Sequence, residues 1–123
     1  MPELGSTYRC NLPPRHIWII ISDPAGNGQR FVFVNLTTLT QSCVDDCCIL
    51  QSADYPPFLT QATTVAYSRF KIGDVRGIDV LVAAGQFHEM PAIPGSTLQK
   101  IINGAHVTAE LPAVAKAMLP PAV

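Results

Sequence analysis

The sequence predicts a mainly β protein of the α+β class, with a β-rich body followed by a helical C-terminal part. Two saturated apolar runs, residues 17–21 and 31–34, flank a loop containing Asp23, Pro24, Gly26, Asn27 and Gly28. Further short apolar or alternating segments, separated by Pro, Gly and Asn, recur up to about residue 72. Beyond residue 74 the apolar spacing changes to three and four, the period of an amphipathic helix.

Residues 6–9 read as a first short strand, and the turn after it spans residues 11–14, with Asn11, Pro13 and Pro14. Residues 16–22 and 30–36 form a β-hairpin, because Ile, Val and Phe fit a pleated, buried surface. Its loop is longer than a two-residue turn and leaves the register open. The second hairpin strand runs out into Asn35, Thr37 and Thr38, and residues 37–45 read as polar loop. Residues 47–50 are a short strand. Residues 51–62 are loop, since Pro56-Pro57 cannot donate to a central ladder. Residues 63–70 alternate as a fifth strand, with Val65, Tyr67 and Arg69 on one side. Short strands with turn signals between them predict a small barrel or sandwich.

Residues 74–84 fit a helix through Val75, Ile78, Leu81 and Val82, with Asp74 as N-cap and Gly85 as stop. The alternation of Ile78, Val80 and Val82 also fits a strand; the helix is preferred. Residues 96–103 are a clearer helix. Ser96 and Gln99 match a capping box, Leu98, Ile101, Ile102 and Ala105 form an apolar stripe, and Gly104 is the expected stop. Pro112 opens a last amphipathic piece with Leu111, Val114, Ala115 and Met118 on one face, ended by Pro120.

At 123 residues the chain is long enough for one core, with a body over about residues 5–72 and a helical part over about 74–119. Apolar residues make up 48% and charged residues only 14%, leaving few groups to solubilise an apolar surface and favouring homo-oligomerisation. The net charge of −1 gives no global basic field, so any nucleic-acid contact must be local; Arg9, Arg15 and Arg30 lie near the hairpin, with Arg69 and Lys71 further on. No apolar stretch approaches the roughly 18 residues of a membrane span. The N-terminus carries no basic region leading into a long apolar one, so a cytoplasmic protein with free thiols is expected.

Cys43, Cys47 and Cys48, with Asp46 beside them, offer soft ligands, but the spacing is neither a zinc knuckle nor a disulfide framework. The histidines, His16, His88 and His106, are scattered and have no cysteine partner at ligand spacing. Packing as small hydrophobes is the expected role of the strand cysteines, and no metal or other cofactor is expected. No Gly-x-Ser-x-Gly elbow exists, and Gly26-Asn27-Gly28 is too short to cradle a phosphate, so it reads as a hairpin turn.

The strongest chemical signal is Arg15 and His16 before the first hairpin strand, with Thr37 and Thr38 after the second. In an antiparallel hairpin the start of one strand and the end of the next lie at the same edge. A cation, an imidazole and two hydroxyls suit a phosphodiester: the cation offsets developing charge, the imidazole moves a proton and the hydroxyls position the phosphate. The plainer alternative is a set of ordinary strand-end residues, since threonine favours strands.

In order along the chain, several segments resemble the PemK/MazF family of bacterial toxins. These are Gly5-Ser6-Thr7-Tyr8 leading into a strand, Arg15-His16 before an apolar strand ending at Ser22, and Val34-Asn35-Leu36-Thr37-Thr38. Val65-Ala66-Tyr67 with Arg69 and the closing Leu98-Gln99-Lys100-Ile101 complete the set. The resemblance implies an SH3-like small β-barrel with C-terminal helices, acting as a homodimer on single-stranded RNA and held in check by an antitoxin protein. It further implies metal-independent endoribonuclease chemistry, with His16, Arg15 and Thr38 catalytic and Thr37, Arg30 and Arg69 binding substrate. By spacing from Ser22, His16 stands where the family carries arginine, and the family's proline is absent. A catalytically silent protein-interaction module on the same fold is the alternative.

Overall fold

The computed structural model describes residues 2–41 and 45–123. Its centre is one antiparallel sheet of six strands: β1 (Thr7–Cys10), β2 (Ile17–Ile20), β3 (Arg30–Thr38), β4 (Ile49–Leu50), β5 (Thr63–Asp74) and β6 (Phe87–Met90). The strands lie in the order β4-β5-β3-β2-β1-β6 and curl into a half-barrel. Among the described residues three α-helices accompany them: α1 (Val75–Ala83), α2 (Gly95–Val107) and α3 (Ala113–Lys116). This is the mainly β, SH3-like architecture with C-terminal helices that the sequence implies.

Alternation along the central strands sorts the apolar side chains between two cores. Ile17, Ile19 and Ile21 with Val32, Val34 and Leu36 face a core closed by Ile101, Ile102 and Ala105 of α2 and by Ala115 of α3. Trp18, Ile20, Phe31 and Phe33 face the other way with Tyr8 of β1, and Ile78 of α1 packs on them. The two saturated runs are therefore saturated because both sheet faces are covered.

The hairpin of β2 and β3 pairs Ile17 with Leu36 and Ile20 with Phe33. The loop between them makes a 3-10 turn at Ala25–Asn27 and leaves through Gly28 at φ +64°. Ser22 closes it, its hydroxyl accepting the Val32 amide at 2.7 Å. Asp74 caps α1 as expected, accepting the Gly77 amide at 2.6 Å, and Gly85 follows the helix at φ +76°.

Several boundaries differ from the sequence expectation. β3 continues to Thr38, β4 is confined to Ile49–Leu50, and β5 extends through Lys71 to Asp74. Within β5, Ala66 pairs with Asn35 and Lys71 with Phe33, so residues 67–70 stand opposite Val34 alone. That bulge interrupts the alternation, leaving Tyr67 buried and Arg69 exposed. The Asp45 carboxylate, itself buried, anchors it by accepting the Ser68 amide at 3.2 Å.

The expected helical part contains a strand, β6, which pairs with β1. Gly104 is not a stop, and α2 runs past it to Val107. A side chain at Gly104 would overlap the Tyr67 hydroxyl and press on Cys48, so the glycine serves close packing of α2 on β5. The capping box does not form either. Pro94 precedes α2 without a side-chain cap, and Gln99 bonds Asn103 at 2.9 Å instead. Leu111, just before α3, and Ala115 within it are buried as expected, while Val114 is exposed. Of the cysteines, Cys48 is buried and Cys47 exposed; Cys43 lies outside the described residues.

Candidate active site groove

Ile17 opposite Leu36 is the last paired step of the β2–β3 ladder. Beyond that step β3 runs on through Thr37 and Thr38, and the segment carrying Arg15 and His16 reaches the same edge. These four residues line a single groove of about 400 Å³ at the strand ends. Its floor is Ile17 and Leu36, and its far wall is the loop of Phe58, Leu59, Thr60 and Gln61.

The chain before β2 is turned rather than extended. The His16 amide donates to the Pro14 carbonyl at 2.9 Å, and the His16 carbonyl accepts from the Cys10 amide at 3.0 Å. Both bonds hold His16 at the groove mouth, half-buried, with Arg15 exposed beside it. This turn lets two sequence neighbours line one groove, which regular strand alternation would not.

The hydroxyls are oriented from behind. Thr37 Oγ1 donates to Oδ1 of the buried Asn35 at 3.2 Å, and Gln61 Nε2 donates to Thr38 Oγ1 at 3.2 Å. Arg15 and His16 are the ionisable groups of the groove, and no carboxylate lines it among the described residues. Arg15 therefore gives the groove a positive charge despite the net charge of −1, which suits an anionic phosphodiester.

The other two expected residues are not brought in. Arg30 begins β3 and Thr38 ends it, so about eight strand rises, roughly 26 Å, separate them. Arg30 instead pairs across to Asp74. Arg69 sits exposed in the β5 bulge and does not line the groove. Conversely, the sequence reading passed over the 58–61 wall, which it took as plain loop. The only signal there is polar Thr60-Gln61 two residues after Pro56-Pro57.

Among the described residues no helix is long and apolar enough to cross a membrane. No group of three or more histidine, cysteine or carboxylate side chains is placed to hold a metal ion among them.

No protein-family model matches the sequence, and no curated protein matches it by sequence. Solved structures do match in three dimensions. An endoribonuclease from a mycobacterial species, in complex with its cognate antitoxin, superposes with a TM-score of 0.56 at 21% identity, covering 91% of this chain and 98% of the other. An endoribonuclease from a mycobacterial species gives 0.56 at 22% identity, over 90% and 93%. A chain of the MazE–MazF assembly from Deinococcus radiodurans gives 0.53 at 15% identity, over 86% and 92%. What is shared over so much of the chain at so low an identity is architecture, and in architecture this protein is distantly PemK/MazF-like.

Proposed function

We propose that this protein is a toxin-type endoribonuclease that cleaves single-stranded RNA without a metal ion. The observation that carries the reading is the convergence of Arg15, His16, Thr37 and Thr38 on one groove with no carboxylate in its lining among the described residues. The fold similarity to endoribonucleases, one of them bound to its antitoxin, supports it.

In this reading the His16 imidazole takes the proton of a ribose 2′-hydroxyl, and the 2′-oxygen attacks the adjacent phosphorus. The phosphorus–O5′ bond breaks, and the imidazolium returns the proton to the departing 5′-oxygen. The products are a 2′,3′-cyclic phosphate and a 5′-hydroxyl, with no net change in protons. Arg15 offsets the charge that builds on the phosphorane, the Thr38 hydroxyl fixes the phosphate, and Thr37 joins it by turning its hydrogen away from Asn35 Oδ1. The protein would act in the cytoplasm as a homodimer, with an antitoxin protein covering the groove.

The test is incubation of the purified protein with mixed-sequence RNA in excess EDTA. Fragments ending in cyclic phosphate are expected, and intact RNA would overturn the reading. A silent interaction module is the second reading, favoured by Val80 of α1, which is 61% exposed between two apolar hollows. It predicts no cleavage under any of these conditions.

A further inference from the structure

Arg9 of β1 is exposed and stands just outside the lining of the strand-end groove. The ladder fixes which way it faces. Thr7 accepts the amide of Ile93 in the first core at 3.1 Å, Tyr8 packs in the second core, and alternation returns Arg9 to the side of Thr7. Arg9 pairs directly with Ile17, and Ile17 with Leu36, the two residues that floor the groove. Directly opposite residues share a face, with Cβ atoms about 5 Å apart. Arg9 therefore lies one strand beyond the groove floor, on the groove's own side of the sheet. His88 of β6 pairs with Arg9 in turn and ends the row at the sheet edge.

A second set of contacts agrees. Tyr55 belongs to the first core and packs on Phe58, a groove wall, at 4.9 Å between ring centroids. Burial raises the Tyr55 hydroxyl, while a hydrogen bond with Thr7 and the positive charge of Arg9 draw it part of the way back, as a guanidinium on this side of the sheet would. Arg9 forms no salt bridge among the described residues, and the row from His88 to Leu36 contains no carboxylate. Beside a groove suited to one phosphodiester, such a guanidinium has the fork geometry to take another phosphate. We infer that Arg9 binds the phosphate adjoining the one that is cleaved, so that the RNA runs from the ends of β3 and β2 toward β1 and is held through at least two successive phosphates. This rests on the endoribonuclease reading for which bond is cut, but the contact itself is measurable without cleavage.

The probe is a dye-labelled, mixed-sequence hexanucleotide carrying 2′-O-methyl groups throughout, which blocks attack by the 2′-oxygen. Its binding is read by fluorescence anisotropy across a salt series. Arg9→Ala is expected to weaken binding about 10-fold, as the loss of a charge-assisted hydrogen bond does. It should also flatten the slope of log affinity against log salt by about 0.7, one phosphate contact to a single strand. Arg9→Lys should restore the slope, since it keeps the charge. Arg30→Ala, which removes the same charge at the far end of β3, should change neither quantity. Arg9 and Arg30 are both exposed, and circular dichroism verifies that each variant is folded. No binding by the parent, an unchanged Arg9→Ala protein, or an equal loss in Arg30→Ala overturns the inference. Unmodified RNA assayed in parallel in EDTA separates the two readings. Arg9-dependent binding without cleavage defeats the nuclease and leaves the phosphate contact standing. Cleavage with binding indifferent to Arg9 defeats the contact alone.

Discussion

Tyr67 donates its hydroxyl hydrogen to the Ile101 carbonyl at 2.7 Å, and Gly104, one turn further along α2, leaves the space that this bond needs. Tyr67→Phe is expected to cost about 1 kcal/mol, the net worth of a buried hydrogen bond. Gly104→Ala should cost about 1–3 kcal/mol, because its methyl meets the hydroxyl and the Cys48 side chain in a packed interior. Gly95→Ala is the control, since nothing lies near its added carbon. Urea unfolding of the three variants checks the ranking, and a Gly104→Ala protein as stable as the parent would refute the close approach.

Stability should fall at both ends of the pH range, for different reasons. Burial raises the hydroxyls of Tyr8, Tyr55 and Tyr67 above their ordinary range, most strongly at Tyr67. An acid whose folded value is raised favours the fold below its unfolded value, about 10, and that contribution is lost as pH climbs. In the acid, Asp54 is held low by the Gln51 amide, at 2.7 Å, and then by Lys100, at 3.2 Å. Its contribution is present above the unfolded value of about 4 and disappears as pH falls through the folded one. Absorbance titration should show the tyrosines ionising only together with unfolding. Thermal melts of Asp54→Asn should lose part of the acid limb.

The two neighbouring thiols should differ sharply in reactivity. Cys47 is exposed, whereas burial raises the Cys48 thiol and its sulfur lies 3.7 Å from the Lys100 carbonyl. Iodoacetamide under native conditions should therefore alkylate Cys47 and spare Cys48 until denaturant is added. Peptide mass mapping of the parent and of Cys47→Ser distinguishes them. Rapid native labelling of Cys48 would contradict its burial.

If the proposed chemistry holds, His16→Ala should lower cleavage by about 10²–10⁴-fold, the usual worth of a positioned acid–base group. Arg15→Ala and Thr38→Ala should each lower it by roughly 10²-fold through lost phosphate stabilisation. Arg30→Ala should leave it unchanged, since Arg30 is at the far end of β3. An active His16→Ala protein would remove the imidazole from the mechanism.

The legible parts of this sequence were those set by neighbours in the chain. Asp74 caps α1 through a residue three positions on, Gly28 and Gly85 sit where left-handed backbone is needed, and the hairpin brings Thr37 and Thr38 back toward Arg15 and His16. The illegible parts depend on distant partners. Phe87–Met90 has no strand-like composition and becomes β6 by pairing with β1, nearly eighty positions earlier. Gly104 was read as a local stop because its actual constraint, Tyr67, lies on another element. Arg30 and Arg69 looked equivalent to Arg15 as cations, and only the length of β3 and the bulge in β5 separate them from the groove. The 58–61 wall shows the same limit, since a loop reveals what it faces only once the sheet beside it is built.

The pairing of β3 has a consequence for how this protein can change. One nine-residue strand, paired to β5 on either side of the bulge and to β2 over Phe33 to Leu36, carries the groove's hydroxyls at one end and the aromatic residues Phe31 and Phe33 toward the other. A slip of a single residue would turn Phe33 into the first core, Val34 out of it, and Thr37 and Thr38 onto exchanged faces together. Variation can thus retune the groove and the outer core only side chain by side chain, never by sliding the strand that joins them.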